Sequence, residues 1–308
     1  MGQRLLKALK TVNFVSGKSM TDEELLKHRK LVEWVGRMAT PKGDVKVRKF
    51  KIGDMSCETV KPDYAHNPGY AIIYAHGGGY MAGGLDYSRV LATKLAIATG
   101  FTTYSFDYRL APEHPYPAAL EDGMAVWDYF TKEKYAPDHI LMAGDSAGGN
   151  LALCLVQKLL SENRPVPGSL LLFSPWTDMT GTSPSYEANK DIDPILSRPY
   201  VMTGARAYTG GVDLDTTWES ESEKLADPRF SPIYGRFEGF PPTFIMAGKN
   251  GILLDDSIRL RDSINKSGGK ASLDIEEEGW HVYQQMPIPI ATKAMKRLSK
   301  YVSGLIYS

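Results

Sequence analysis

The segment HILMAGDSAGGNLALCLVQKLL, residues 139–160, constrains the fold of this chain more than any other segment. It predicts a buried strand, a tight Gly-x-Ser-x-Gly turn over residues 144–148, and then an apolar helix. The glycines allow the sharp turn, and the turn raises the hydroxyl of Ser146 above the sheet. Small residues could also stand here only to let the strand and helix cross closely. We interpret Ser146 as a nucleophile, with the positive end of the helix dipole beneath it.

Strands and helices alternate along the rest of the chain. We predict strands near residues 45–52, 56–60, 71–75, 102–106, 139–143, 169–173, 243–247 and 272–276. Helices are predicted near 87–98, 118–130, 147–160, 199–208, 255–266 and 291–302. Two successive strands followed by βα units predict an α/β fold, with a mainly parallel sheet, an antiparallel start and helices on both faces. In such a sheet the active residues lie beyond the carboxyl ends of the strands.

Two regions fall outside this alternation. The first 40 or so residues predict two amphipathic helices, the second with Thr21 as its N-cap and Glu24 completing a capping box. Residues 177–240 are too long for a plain connection, and we interpret them as an insertion that packs near the site. We therefore predict a single domain over residues 1–308, with a small cap formed by about 1–40 and about 177–240.

Composition excludes several classes of function. With 36 basic and 36 acidic residues, the 308-residue chain has no net charge to attract nucleic acid or an anionic membrane. No apolar run reaches membrane-spanning length, and lysines interrupt the N-terminal leucines where a signal peptide needs an apolar core. Cys57 and Cys154 offer neither a disulfide framework nor metal-ligand spacing, so we expect them to fill space. We expect a cytoplasmic protein with a small-molecule partner.

A glycine-rich loop carries the second group of candidate residues. The segment HGGG, residues 76–79, follows a predicted strand and leaves backbone N–H groups bare. By itself it could be a flexible loop, but a tetrahedral intermediate needs fixed donors of this kind for its oxyanion. Beside the serine turn, we interpret the N–H groups of Gly78, Gly79 and Ala147 as an oxyanion hole. His76 at the strand end more plausibly braces the loop than acts in catalysis.

The candidate base is His281, within EEEGWHVYQQM. It follows the last predicted strand, where an imidazole could meet Ser146, and the order serine then histidine suits this architecture. A lone histidine is more often structural than catalytic. The other five histidines, at positions 28, 66, 76, 114 and 139, lie on a charged helix, in loops or at strand ends. We therefore choose His281.

Together these motifs resemble the hormone-sensitive-lipase-like (bacterial family IV) esterases of the α/β-hydrolase superfamily. The matching segments are HGGGY, DYRLAPEHPYPAALED, GDSAGGNLA, SPWTD and WHVYQ, in that order, between about residues 72 and 284. The resemblance implies an α/β-hydrolase fold, with a mostly parallel eight-stranded sheet and a small helical cap, and a carboxylic-ester hydrolase without metal or cofactor. It also implies that Arg109, Glu113 and Asp122 form buried ion pairs behind the serine turn.

The chain departs from this family at the catalytic acid. The family places Asp or Glu four positions before the first acidic residue of a segment like LLDDS, and counting back from Asp255 reaches Gly251. The charge that would orient and stabilise the imidazolium is therefore missing. We interpret Gly251 as a replacement of the acid, and three substitutes are open. They are the amide oxygen of Asn250, the carboxylate of Asp255 one helical turn further on, which would need a moved loop or a water to reach, and Asp178 after a neighbouring strand.

These inferences predict a serine esterase for small or medium acyl esters, impaired by Gly251. Ser146 attacks the carbonyl, His281 takes and then returns the proton, and water resolves the acyl-enzyme. The alternative is a catalytically decayed ligand-binding or sensory protein on the same fold. Amide, thioester or carbohydrate-acetyl leaving groups would suit the same site.

Two further expectations concern surfaces. Four side chains of the cap region and glycine loop either line the substrate pocket or pack in the core, and these are Tyr80, Met81, Tyr208 and Trp218. A strand at the edge of the sheet could pair with the same strand of a second copy of the chain, so the sequence allows a homodimer.

Overall fold

The sheet follows the predicted order of elements closely. The structure is a computed structural model that describes residues 21–41, 43, 45–64, 67–210 and 218–307. Its strands are β1 (Val45–Ile52), β2 (Met55–Pro62), β3 (Ala71–Ala75), β4 (Thr102–Phe106), β5 (Ile140–Asp145), β6 (Ser169–Phe173), β7 (Thr243–Gly248) and β8 (Ala271–Glu276). They form one eight-stranded sheet in the order β1-β2-β4-β3-β5-β6-β7-β8. β2 pairs antiparallel with β1 and β4, and all other pairs are parallel, which confirms the predicted sheet.

Helices cover both faces of the sheet. They are α1 (Asp22–Ala39), α2 (Leu85–Thr99), α3 (Ala118–Glu133), α4 (Ala147–Ser161), α5 (Ser185–Ala188), α6 (Arg198–Tyr208), α7 (Trp218–Leu225), α8 (Leu254–Lys266) and α9 (Pro289–Tyr307). The short helices α5 and α7 were not predicted, because one is a single turn and the other, WESESEKL, is mostly polar. The predicted helix within residues 1–20 lies outside the described residues. The capping box of α1 is confirmed, since Thr21 and Glu24 exchange hydrogen bonds of 2.8 and 3.3 Å.

Successive residues of the central strands point to opposite faces of the sheet and pack into two separate hydrophobic cores. Ile73 of β3, Met142 of β5 and Leu172 of β6 belong to one core, with the apolar faces of α3, α4 and α8. The intervening residues Ile72 and Leu141 belong to the other core, with α2 and α9. Strands that are buried on both faces in this way read as continuous apolar runs, as their sequences do.

The ion pairs that the resemblance implied lie at the surface, so that expectation is wrong. Arg109 pairs with Glu121 and Asp122, but its side chain remains 43% exposed. Glu113 pairs instead with Arg29 of α1 and is 51% exposed. Leaving these charges in contact with water avoids the desolvation cost of a buried ion pair.

Membrane-spanning helices, metal-binding groups and disulfides were also sought among the described residues. None of the helices in the described ranges has the length and apolar character that a membrane span needs. The same ranges hold no group of three or more His, Cys, Asp or Glu side chains placed to bind a metal ion. Cys57 and Cys154 are both buried and unbridged.

Candidate active site

Ser146 occupies a strained turn between β5 and α4. Its φ of 52° lies in the left-handed region, which a residue with a side chain rarely adopts. The flanking glycines are required by packing: a Cβ on Gly144 would lie 2.3 Å from Gly148 O, and one on Gly148 would lie 2.1 Å from Ala75 O. The strand–turn–helix expected from the sequence is therefore present, with Ser146 at the carboxyl end of β5.

The glycine loop follows β3 and faces the same place. Gly78 and Gly79 have φ of 117° and 64°, and a Cβ on Gly78 would lie 2.1 Å from Ala82 O. Gly78, Gly79 and Ser146 line one cavity, and Ala147 follows the serine directly. Within the described part of the chain, the backbone N–H groups of Gly78, Gly79 and Ala147 donate no hydrogen bond. These donors are thus free to bind an acceptor in the cavity.

A buried carboxylate, Asp145, joins the serine turn to the glycine loop. It accepts hydrogen bonds from the hydroxyls of Tyr74 at 2.5 Å and Tyr87 at 2.8 Å, and from Gly77 N at 2.8 Å. Burial raises the pKa of Asp145 to about 6, although its three donors oppose that rise. Sequence reasoning missed this residue. An acidic side chain beside the serine of a tight turn was the available signal.

His281 follows β8 and lines the same cavity as Ser146. The turn after it is held from α2, where the Lys94 ammonium donates to Gln284 O at 2.6 Å and Met286 O at 2.8 Å. Burial lowers the pKa of Lys94 to about 8. No hydrogen bond joins the His281 ring to the Ser146 hydroxyl in the described structure, and such contacts are often long before substrate binds. Lys94 was not identified from the sequence, because its partners are backbone carbonyls 190 or more positions away.

The second ring nitrogen of His281, Nδ1, is buried and has no hydrogen-bond partner among the described residues. Burial lowers the pKa of His281 to about 3. Gly251 lies directly against this histidine, since a Cβ built on Gly251 would be 3.2 Å from His281 N and 3.5 Å from its Cα. Position 251 is therefore adjacent to the histidine, and it carries no side chain.

Neither neighbouring substitute contacts the imidazole. The side-chain amide of Asn250 donates to Glu277 O at 3.3 Å, which turns it away from His281. The carboxylate of Asp255 accepts from Ser185 N at 2.7 Å and so serves the first turn of α5. The expectation that the Asn250 amide contacts the histidine is wrong in this structure, and Asp255 likewise makes no direct contact with the ring.

Asp178 is likewise committed elsewhere. Its carboxylate pairs with Arg259 at 2.6 Å and accepts from the Tyr234 hydroxyl at 2.9 Å. Next to it, the buried carboxylate of Asp256 accepts from Thr177 N at 2.8 Å and Asp178 N at 3.0 Å. Burial, with the charge of Asp178, raises the pKa of Asp256 to about 7. These carboxylates fasten the start of the 177–240 segment to α8 and do not reach His281.

The cavity in front of Ser146 is small and mainly apolar, with a volume of about 230 Å³. Helix α1 supplies one wall, formed by His28, Val32, Val35, Gly36 and Ala39. The 177–240 segment supplies Ile195, Leu196 and Tyr200. A larger open groove of about 980 Å³ runs along β8 and α9, and none of the candidate catalytic residues lines it.

A polar chain crosses this wall to the glycine loop. His28 Nε2 lies 3.0 Å from the Tyr200 hydroxyl, and that hydroxyl donates to Gly78 O at 3.4 Å. Burial lowers the pKa of His28 to about 4. Helices α1 and α6 are thus bonded to each other and to the loop that carries the candidate oxyanion donors.

Of the four side chains expected either to line the pocket or to pack in the core, three pack in the core. Tyr80 stacks on Tyr208 with ring centroids 3.7 Å apart, and the Tyr80 hydroxyl donates to Asn150 Oδ1 at 2.7 Å. Tyr80, Met81 and Tyr208 do not line the cavity in front of Ser146. The fourth, Trp218, has a side chain outside the described part of the structure.

Comparison with known proteins gives one consistent result. Residues 72–285 match a family described as the alpha/beta hydrolase fold. An esterase of Acinetobacter venetianus is 30% identical over 279 residues, which cover 90% of this chain and 88% of that protein. An acetyl-hydrolase of Streptomyces hygroscopicus is 28% identical, with coverage of 91% and 88%.

Solved structures agree over nearly the whole length. An esterase/lipase from an uncultured bacterium superposes with a TM-score of 0.87 at 30% identity, covering 99% of this chain and 98% of that one. An esterase from the bacterial hormone-sensitive lipase family superposes with a TM-score of 0.87 at 27% identity, covering 99% and 97%. The chain therefore belongs to the hormone-sensitive-lipase-like family of α/β-hydrolase esterases.

Proposed function

We propose that this protein is a serine esterase that hydrolyses small carboxylic esters at a reduced rate. One observation carries the proposal: Ser146, in its strained turn, faces the same small cavity as His281 and the bare N–H groups of the glycine loop. Nucleophile, base and oxyanion donors must meet at one point for acyl transfer. The esterase and acetyl-hydrolase names of the similar proteins support the same chemistry.

Each residue has a defined role in this proposal. Ser146 Oγ attacks the ester carbonyl while His281 Nε2 takes its proton, and the N–H groups of Gly78, Gly79 and Ala147 stabilise the oxyanion. His281 then protonates the leaving alcohol. Water, activated by the same imidazole, hydrolyses the acyl-enzyme. We assign no catalytic step to a metal or cofactor.

Gly251 limits the rate. In a serine protease, replacing the triad aspartate by its amide lowers turnover by roughly 10⁴, while the oxyanion hole and substrate binding still catalyse the reaction over water. Burial of His281 without a carboxylate disfavours the imidazolium, as the lowering of its pKa to about 3 indicates. We therefore expect slow turnover and not an inert protein.

We further propose that α1 and the 177–240 segment act as a cap that limits substrate size. Both supply walls of the cavity of about 230 Å³, which is below the usual range for drug-sized ligands of roughly 300–1,000 Å³. Acetyl to butyryl esters suit this volume better than long acyl chains. The same site could accept other acyl leaving groups, so anilides, thioesters and acetylated sugars belong in the substrate panel.

Hydrolysis of p-nitrophenyl acetate tests the assignment. In subtilisin, losing the serine costs about 2 × 10⁶ in kcat and losing the acid alone about 3 × 10⁴, so in a chain already without the acid we expect Ser146→Ala to cost roughly 10²-fold. Circular dichroism would verify that the variant folds. Full activity in folded Ser146→Ala would show that another group performs the chemistry.

A ligand-binding or sensory protein on the same fold is the second candidate. It is favoured by one observation, the unpartnered Nδ1 of His281 beside Gly251. This candidate predicts that a small ester or carboxylic acid binds at equilibrium and that the ester is recovered intact after long incubation. Slow turnover that depends on Ser146 would exclude it.

A further inference from the structure

Gly251 contacts the backbone of His281, and the buried ring nitrogen Nδ1 of that histidine has no hydrogen-bond partner among the described residues. His281 is 5% exposed, and no described residue accepts a hydrogen bond from its Nδ1. Buried polar atoms in folded proteins nearly always have a partner, so each exception requires an explanation. The carboxylates of Asp255 and Asp178, the acidic candidates from the sequence, are both engaged with other residues.

We propose that a small monocarboxylate of the formate or acetate class binds at Nδ1 of His281, beside position 251, and acts as a diffusible third member of the catalytic group. This inference rests on the proposed esterase function. The carboxylate oxygen accepts the Nδ1–H bond and fixes the tautomer in which Nε2 is the proton acceptor. When Ser146 passes its proton to Nε2, the bound anion stabilises the imidazolium. The anion is neither consumed nor protonated in the cycle.

The geometry at Gly251 sets the size of the anion. A Cβ there would sit 3.2 Å from His281 N and 3.3 Å from Gly248 O, so one carbon atom at that point is already in close contact. Formate needs no atom in that position, because its only carbon is the carboxyl carbon. Acetate must place its methyl group in or beside it, and propionate needs more room. We expect activation in the order formate, acetate, propionate.

The neighbouring donors and charges predict weak binding. Gly251 N already donates to Gly248 O at 3.1 Å, and Ile252 N donates to the buried carboxylate of Asp193 at 3.0 Å. His281 Nδ1 must therefore supply the hydrogen bond. The carboxylate of Asp193 also repels a second anion nearby when it is ionised. Activation should accordingly require high concentrations of the salt.

The experiment measures kcat/KM of the full-length protein for p-nitrophenyl acetate while sodium formate is raised to about 0.5 M, with sodium chloride at equal ionic strength as the reference because salt alone screens charges. The spontaneous rate in the same buffer is subtracted. We expect a saturable rise of about tenfold or more, a part of the roughly 10⁴-fold that the acid is worth in a serine protease. Acetate should give a smaller rise and propionate none.

Two variants at position 251 make the test specific. Gly251→Asp supplies its own carboxylate, so it should be more active and insensitive to formate. Gly251→Ala places a methyl group in the site without a charge, so it should lose the activation. A nucleophilic attack of formate on the acyl-enzyme would instead accelerate Gly251→Asp as well, and that result would overturn the proposal.

The remaining outcomes separate this inference from the esterase assignment. If Gly251→Asp gains activity but formate leaves the unmodified protein unchanged, the anion site is wrong and the esterase stands. If Ser146→Ala retains the full rate with and without formate, the esterase assignment fails and the anion site fails with it.

Discussion

The two halves of the site differ in how their polar groups are paired. In the serine half, residues 76–79 and 144–148, the Asp145 carboxylate accepts from Tyr74, Gly77 N and Tyr87, and the bond from Gly77 ties the serine turn to the glycine loop. A fourth donor, the Gln285 side chain at 3.5 Å, comes from the histidine half. In the histidine half, Gly251 with residues 281–286, Lys94 holds the backbone but Nδ1 of His281 has no described partner. The carboxylate of the serine half therefore has several donors, whereas the ring nitrogen of the histidine half has no acceptor among the described residues. Nε2 of His76 in the serine half is also without a described partner.

The glycines of the two halves also differ in how tightly the surrounding backbone packs against them. A side chain on Gly144 or Gly148 would strike backbone at 2.3 or 2.1 Å, so these residues serve packing as well as chemistry. Position 251 is less constrained, because a Cβ there would meet its first neighbour at 3.2 Å, a close contact and not an overlap, and its backbone is not left-handed. The residue at position 251 can therefore change with a small adjustment of its neighbours, whereas the serine turn cannot be altered in the same way.

Restoring a carboxylate should give the largest effect. We expect Gly251→Asp to raise kcat/KM for p-nitrophenyl acetate by up to roughly 10⁴, or ~5.5 kcal/mol of transition-state stabilisation. Gly251→Asn is the matched control, with the same shape and no charge, and should gain far less. Equal gains from both variants would mean that the glycine limits activity through backbone freedom and not through the missing charge.

Adding a methyl group to each half should destabilise them unequally. Gly148→Ala forces a Cβ to within 2.1 Å of Ala75 O, whereas Gly251→Ala meets its first neighbour at 3.2 Å. We expect a loss of unfolding free energy of about 3 kcal/mol or more for Gly148→Ala and under about 1 kcal/mol for Gly251→Ala. Urea denaturation followed by circular dichroism measures both. Similar losses would contradict the distinction between the halves.

The pH dependence of activity should also differ between the unmodified protein and Gly251→Asp. Burial lowers the pKa of His281 to about 3, so the unmodified protein should keep its base neutral, and its kcat/KM flat, well below pH 6. A carboxylate at position 251 favours the imidazolium and raises this pKa. Gly251→Asp should then lose about tenfold in kcat/KM per pH unit below the raised value. Coinciding profiles would mean that the new carboxylate does not face the ring.

The lowered pKa of His281 also makes the stability of the folded protein depend on pH. The folded pKa of His281 lies below the value of about 6.5 for an unfolded histidine, so the unfolded chain binds more protons between those values. This group therefore contributes stability that increases as the pH rises from about 3 to about 6.5. Circular dichroism at each pH must accompany the rate profile, so that unfolding in acid is not mistaken for titration of the base.

The smallest effect is expected at the apolar wall of the cavity that Ser146 and His281 both line. Val32 of α1 and Ile195 both line the cavity of about 230 Å³. A methylene in an apolar pocket is worth about 1–3 kcal/mol, so Val32→Ala should raise the rate with p-nitrophenyl hexanoate relative to acetate by about tenfold, the lower end of that range. Ile97→Ala on the exposed side of α2 is a control. An unchanged ratio would show that α1 does not limit acyl length.

Much of the fold could be predicted because its signals are local. Alternating strand and helix patterns located all eight strands, and the Gly-x-Ser-x-Gly turn located the end of β5. Contacts between side chains that are far apart in the sequence were harder to predict. The sequence could not show that Glu113 pairs with Arg29, or that the partner against which Tyr80 packs is Tyr208.

The amino-acid sequence by itself determined the sheet, the serine turn, the glycine loop and the absence of an acid at position 251, because each depends on residues that are neighbours in the chain. Only the tertiary structure decided that Asn250, Asp255 and Asp178 bond to other residues and that Nδ1 of His281 has no partner among the described residues. The reason is physical. A carboxylate or amide bonds to whichever donor or acceptor the packing of distant segments brings within about 3 Å, and no local pattern records that choice.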